Sequence, residues 1–324
     1  MSHKKYLFKL VLFVCPLLLF WTILEVVFRK LPSTHSIKKD RLANQTDDID
    51  TLVLGSSSAF YGIAPSCLDG HAYNLANVSQ SCYYSDALLK QQYPNLPKLR
   101  RVIFQVNYSE LGTELDEGLD NWRIYFYFQV WGIEPRHRSD LMDLRSISSL
   151  ELRKNQFSLG SLRRGITAWK SHSAWRGFAD DRNIDSCGWW SRAAASSISP
   201  IKTDEEVQKV VNYQTNTINL NPDCPGNDAL KQSLDFCKEH KLQAIIVTTP
   251  VQNAYRKYMD KEIWSSTENA IHDFERHGLC VYANFLEWEG LQNSDFDDPN
   301  HLSKFGAVKF TRKLNEFLND ISRR

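Results

Sequence analysis

Five short, mostly apolar runs constrain the fold of this chain more than any other feature: Thr51–Leu54, Ala72–Leu75, Val102–Val106, Ala244–Val247 and Cys280–Tyr282. Each is too short for a helix. Their apolar residues run on rather than alternate, as in strands buried on both faces. Helical spacing fills the intervals. Ser81–Tyr93 puts Tyr84, Ala87, Leu88 and Gln91 on one face and stops before Pro94. Asn227–His240 carries Leu230, Leu234 and Cys237. Ile263–His277 carries Ile263, Ala270, Ile271 and Phe274 and ends at Gly278. A closing stripe shows Phe310, Leu314, Phe317, Leu318 and Ile321. Strands alternating with helices predict an α/β three-layer sandwich around a mostly parallel sheet.

The first 47 residues stand apart. Tyr6 to Phe28 is almost wholly apolar, with Lys9 and Glu25 near its ends, about enough to cross a hydrocarbon core of roughly 30 Å. Phe28-Arg29-Lys30-Leu31 is a poor cleavage site, so a retained anchor is favoured over a signal peptide. The expected division is a membrane anchor over residues 1–29, a polar linker over 30–47 and an α/β body over 48–324. Lys4, Lys5 and Lys9 precede the span, and Arg29, Lys30, Lys38, Lys39 and Arg41 follow it, so the positive-inside count does not orient it. Six cysteines lie outside the span, an even number that suggests disulfides in an exported body. Cys67 and Cys82, flanking the second strand, are candidates for pairing, and buried free thiols are the alternative. A net charge of +1 leaves no basic excess for phosphates, which argues against nucleic acid as a partner.

From about residue 111 to 200 the alternation stops. This predicted insertion holds Trp122, Trp131, Trp169, Trp175, Trp189 and Trp190, with a basic cluster of Arg136, His137, Arg138, Arg153, Lys154, Arg163 and Arg164. Aromatic faces beside cations suit sugar rings and acidic glycans; tryptophans that form the insertion's own small core are the competing reading.

Two separated pieces carry the chemistry. Gly55-Ser56-Ser57-Ser58 follows the first strand, and Asp298-Pro299-Asn300-His301 precedes the last helix. A serine in a strand-to-helix turn exposes its hydroxyl above the sheet, and the first N–H groups of the helix face a developing oxyanion. Ser56, Ser57 and Ser58 compete for that role, and a polar helix cap is the plain alternative. Imidazole is the base suited to serine near neutral pH, and Asp298 can orient it, with Asp297 a substitute. A metal reading of Asp295, Asp297, Asp298 and His301 finds no further ligands at suitable spacing, so neither metal nor cofactor is expected.

These residues resemble the SGNH/GDSL hydrolase superfamily. Leu54-Gly55-Ser56-Ser57-Ser58 matches its first block, with serine in place of the usual aspartate, and Asp298-Pro299-Asn300-His301-Leu302-Ser303 its last. The resemblance implies a flavodoxin-like sheet, Ser57 as nucleophile, His301 as base and Asp298 as its orienting partner. Gln105-Val106-Asn107-Tyr108 corresponds to the third block. Asn74–Ser79 corresponds to the second, without its glycine. Oxyanion donors are then expected from Ser57, Asn77 and Asn107, and substrate contacts from Ser58, Tyr108 and Trp122. The Gly-Ser-Ser variant with an anchor resembles the branch that adds or removes acyl groups, often O-acetyl, on exported polymers. It implies a single-pass protein of the bacterial inner membrane with its catalytic domain outside the cytoplasm. Its partners would be a surface polysaccharide or an acyl-donor membrane protein. A catalytically inactive glycan-binding or assembly factor on the same scaffold is the alternative, because the middle blocks are degenerate.

Overall fold

The structure, a computed structural model, describes residues 3–118, 120–154, 183–191, 203–218 and 225–323. The strands β1 (Thr51–Leu54), β2 (Ala72–Asn74), β3 (Arg101–Gln105), β4 (Gln243–Thr248) and β5 (Val281–Asn284) form one sheet in the order β2-β1-β3-β4-β5. Every neighbouring pair is parallel. Each apolar run of the sequence overlaps one of these strands. The chain leaves β1 toward β2 and returns on the other side as β3, so the order reverses between β1 and β3. At that switch the connections after the two strands diverge and leave a crevice at their carboxyl ends.

Alternate residues serve opposite faces of the sheet. Leu52, Leu54, Val102, Phe104, Ala244 and Ile246 share one core cluster, and Val53, Ile103, Ile245 and Val247 another. The register pairs Leu52 with Val102 and Val102 with Ala244, so each core is built row by row. The helices follow in chain order. α1 (His3–Lys30) is apolar and buries none of its residues. It is long and apolar enough to cross a membrane, by length and composition. α2 (Thr34–Ala43) starts at Ser33, whose hydroxyl accepts from the Ser36 amide in a capping box. α3 (Ser57–Gly62) follows β1, and α4 (Cys82–Gln92) connects β2 to β3. α5 (Asp204–Thr215) and α6 (Pro225–Glu239) precede β4, α7 (Lys261–Arg276) precedes β5, and α8 (Lys304–Ser322) closes the chain. Residues of α4, α6 and α7 cover the first face; residues of α3 and α8 cover the second. Phe310, Leu314 and Leu318 of α8 are buried as their spacing predicts. Truncating Phe310 to alanine would cost about 3–5 kcal/mol.

The stretch after the anchor is built into the body. α2 buries His35, Ile37, Lys38 and Leu42. Burial, helped by the nearby Arg123 and Lys38 cations, lowers the His35 pKa to about 3. The ring is therefore neutral and can accept the Trp131 indole N–H at 3.2 Å. Lys38 lies with its ammonium 4.4 Å from the Phe60 ring centre and donates to the Ala76 carbonyl.

The described insertion supplies Trp189 and Trp190 to the second face, while its earlier residues, Leu115, Ile124 and Leu152 among them, pack on the first face. Trp131 is buried there and Trp122 lies partly buried beside it, so both serve the core. Trp189 donates its indole N–H to the Tyr61 carbonyl at 2.8 Å. Trp169, Trp175, Arg163, Arg164 and Cys224 lie outside the described residues, as does the Lys154 side chain.

The expected disulfides are not formed among the described residues. Cys67, Cys82, Cys187, Cys237 and Cys280 form no disulfide with one another. The reason is topological: Cys82 belongs to the core on one face of the sheet, and Cys67 packs against the core on the other. Burial pushes the thiols of Cys237 and Cys280 up to about 12.

Candidate active site

β1 ends at Leu54, and Gly55 turns the chain with φ +143°, a conformation that favours glycine. A Cβ at Gly55 would lie 2.8 Å from the Gln105 Cβ, so β3 also forbids a larger residue. Ser56 is the N-cap of α3, and its side chain does not cap the helix. Its hydroxyl donates instead to Glu110 Oε1 at 2.7 Å. Ser57 is the first helical residue. Its amide and that of Ser58 lie in the first turn, where a helix has no internal acceptors to offer.

His301 arrives from the other end of the chain. Phe296–Asp298 (β6) and His301–Leu302 (β7) form a small antiparallel hairpin. The sequence predicts Asp298 in the turn entering the last helix. The structure instead sets Asp298 and His301 opposite each other across the hairpin. The helix cap belongs to Ser303, whose hydroxyl accepts the Gly306 amide at 3.2 Å. Asp298 Oδ1 accepts the backbone N–H of His301 at 3.0 Å and of Asn300 at 3.2 Å. His301 Nδ1 lies 2.9 Å from each carboxylate oxygen of Asp298. His301 Nε2 lies 2.7 Å from Ser57 Oγ. The ring meets Tyr61 edge-on, with centroids 5.4 Å apart. Carboxylate, imidazole and hydroxyl thus form one continuous line of hydrogen-bonding atoms.

A cleft of about 160 Å³ opens beside this line. Ser57, Ser58, Asn107 and Tyr108 line it. Asn77 and Trp122 are not among its lining residues. The Asn77 amide N–H donates to the Gly55 carbonyl at 3.2 Å, and Trp122 packs against Phe126 and the Arg123 guanidinium. Asn107 Nδ2 donates to Thr249 Oγ1 at 2.9 Å, so its amide hydrogens point toward β4. Tyr108 forms a hydrogen bond with Thr215 at 2.9 Å and accepts the Asp260 amide at 3.1 Å.

Glu110 is the site residue that pattern reading missed. Besides Ser56, it accepts Gln105 Nε2 at 3.0 Å and the Asn107 amide at 2.8 Å. It thereby ties the end of β1 to the end of β3. Its position three residues beyond Asn107 was the available signal, but only tertiary structure shows what it spans. Glu114 lines the far wall of the cleft. Burial raises its pKa to about 7 against the opposing Arg136 cation, 3.4 Å away. Among the described residues neither carboxyl oxygen has a well-formed hydrogen bond, though the neighbouring Ser81 hydroxyl offsets part of the upward shift. Asp295, considered above as a ligand, is buried and held by Lys309 at 2.8 and 2.9 Å. Among the described residues no three His, Cys, Asp or Glu side chains converge as a metal site.

The fold and site define an α/β protein with a serine–histidine–aspartate constellation at the carboxyl edge of a parallel sheet. The DltD protein family matches residues 196–319, the part that carries Asp298 and His301 but not Ser57. A Streptococcus pneumonia structure, described as that of a provisionally assigned platelet activating factor, is similar over 94% of this chain and 98% of its own. Its identity is 10% and its TM-score 0.39, too low to carry an argument. No curated protein matches.

Proposed function

We propose that the chain is a membrane-anchored esterase or acyl transferase acting on a cell-envelope polymer, with Ser57 as nucleophile, His301 as general base and Asp298 as its orienting partner. The unbroken Asp298–His301–Ser57 line carries this reading. The imidazole removes the Ser57 proton as the hydroxyl attacks an acyl carbonyl, and Asp298 stabilises the imidazolium. The imidazolium gives that proton to the departing donor oxygen as the acyl-enzyme forms. His301 then takes a proton from the attacking water or polymer hydroxyl and returns it to Ser57 Oγ as the acyl group leaves. The Ser57 N–H serves the oxyanion at the helix start. Asn107 joins it after its side chain releases Thr249, and Asn77 after its amide releases Gly55. Ser58 and Tyr108 border the bound acyl group. The partial match to DltD protein, a family of membrane-associated esterases or acyl transferases on envelope polymers, supports the substrate class. The apolar α1 supports single-pass anchoring. By the resemblance stated above, the anchor lies in a bacterial inner membrane with the body outside the cytoplasm; O-acetyl is the expected group and surface polysaccharide the expected acceptor.

The test is covalent. A fluorophosphonate probe should label the wild type and not Ser57→Ala. Ester turnover in that variant should fall by about a millionfold, as when a triad nucleophile is removed elsewhere. Undiminished turnover would refute the assignment.

The engagement of Asn77 and Asn107 favours a second reading, an inactive polymer-binding factor on the same scaffold. Absence of labelling in the wild type, with polymer binding that survives Ser57→Ala, would select it.

A further inference from the structure

Glu25, near the end of the apolar helix α1, is held by the body. Its carboxylate accepts the amides of Ser149 and Leu150 at 2.7 and 3.1 Å and the Ser148 hydroxyl at 2.9 Å. Arg29 donates to the Ile147 carbonyl at 2.9 Å. Farther along the chain, Arg153 donates to the carbonyls of Leu31 and Pro32. The short helix Ser149–Lys154 therefore runs alongside the end of α1 in the same direction. Residue 149 meets position 25, and residue 153 meets positions 31 and 32. Lower numbers in α1 lie deeper in the apolar segment, so the start of this short helix points toward it. The segment that precedes it, residues 141–148, is tied to the same end of α1 through the Arg29 bond to the Ile147 carbonyl.

That preceding segment carries three large apolar side chains in the open: Met142, Leu144 and Ile147, with 89%, 62% and 66% of their surfaces exposed. The segment is held in place. Ser146 Oγ bonds to the carbonyls of Leu141 and Asp143 at 2.9 and 2.7 Å. Gln129 Nε2 donates to the Arg145 carbonyl at 2.7 Å. Asp143 caps the turn by accepting the Arg145 amide at 2.8 Å, and it also pairs with the Arg145 guanidinium. A braced loop with apolar tips, continuous with an apolar helix, has the form of a wedge for a lipid interface.

We infer that residues 141–148 form a second membrane contact, with Met142, Leu144 and Ile147 inserted into the bilayer interface beside the exit of α1. The occupant is the lipid surface itself. The inference rests on the anchored reading of α1 and not on the acyl chemistry. It gives the body a fixed seat on the bilayer instead of a swinging tether.

The test uses the full chain in vesicles of phosphatidylethanolamine and phosphatidylglycerol. Leu144→Cys and, separately, Ile147→Cys are labelled with an environment-sensitive nitrobenzoxadiazole dye. Cys15, Cys67, Cys187 and Cys224 are replaced by serine. The expected result is a blue-shifted emission, quenched by nitroxide on lipid chains and shielded from aqueous iodide. Water-like emission with free access to iodide overturns the inference. So does a blue shift without lipid quenching, which would place the tips against protein. A chain that fails to co-float with vesicles overturns it together with the anchor, whereas flotation with a wet probe overturns it alone. Should the serine background not fold, a photoreactive diazirine amino acid at position 144 of the otherwise unaltered chain gives the same decision. Crosslinks to lipid support the inference, and their absence in floating protein defeats it. Fluorophosphonate labelling of Ser57 is an independent measurement and should not change in either variant.

Discussion

The two halves of the site are held by different means. The Ser57 half hangs from the middle of the sheet: β1 lies between β2 and β3, and Gly55, Gln105 and Glu110 interlock behind the nucleophile. The His301 half sits on a hairpin of three-residue and two-residue strands outside the sheet. Its polar supports lie mostly within residues 295–309: Asp298 bound to its own turn, Asp295 clamped by Lys309, and Gly306 pressed under the Asp295 carbonyl. From outside, the Gln252 amide donates to the Pro299 carbonyl at 2.9 Å, and Phe296 and Leu302 pack in the core of the second face. A ladder shares strain among many backbone bonds, but a short hairpin has few to share it with. The position of Ser57 should therefore tolerate small changes that the position of His301 does not.

Short of removing the Ser57 hydroxyl itself, the largest expected effect strikes the weak half. Asp298→Asn keeps the size of the side chain but loses the charge and the preferred tautomer, and should lower kcat by about ten-thousandfold with the fold retained. Steady-state turnover with circular dichroism checks both parts; a loss below tenfold would mean that the hairpin orients His301 unaided. Next comes Gly306→Ala, whose Cβ would lie 1.9 Å from the Asp295 carbonyl oxygen. The hairpin and α8 must separate, at a cost of roughly 3 kcal/mol or more. Thermal unfolding measures that cost, and turnover should drop out of proportion to the residual folded fraction.

The smallest effect falls on the cleft wall. The Glu114 pKa is raised to about 7 by burial, so the folded state holds its proton more tightly than the unfolded chain does. The fold is then most stable below the ordinary glutamate range and loses stability as pH rises toward 7. Glu114→Gln removes that loss. The variant should gain on the wild type between pH 4.5 and 7.5 by about 2–3 kcal/mol at most, read as the change in denaturant midpoint at each pH. Equal pH profiles would show the carboxyl to be better solvated than its burial implies.

Much of the scaffold was legible in the sequence because strands buried on both faces leave continuous apolar runs, and each run became a strand. The stripe of α8 was equally plain. α2 was not legible, because its composition is that of a linker. Lys38 and His35 reach their places only once Phe60 and Trp131 are there to receive them. Ser57, Asp298 and His301, which the structure brings together, were singled out from their positions beside recognisable elements, yet the hairpin that carries two of them was hidden by its brevity. Six spare cysteines suggested bridges because counting is blind to which face of a sheet a thiol occupies. Glu110 and Glu114 escaped notice since a carboxylate in a loop reads as solvated until the walls around it are known.

The capping turn of α2 has a consequence for reach. Thr34, four residues past the end of α1, exchanges hydrogen bonds with the side chain of Asn77, whose amide holds the Gly55 carbonyl just behind Ser57. Little slack chain intervenes between α1 and Ser57; on the proposed function, α1 is the anchor and Ser57 the nucleophile. The protein would then work like a tool on a short rigid handle, at one height above its supporting surface, and the ester bonds it can process are those carried to that height by the substrate's own flexibility.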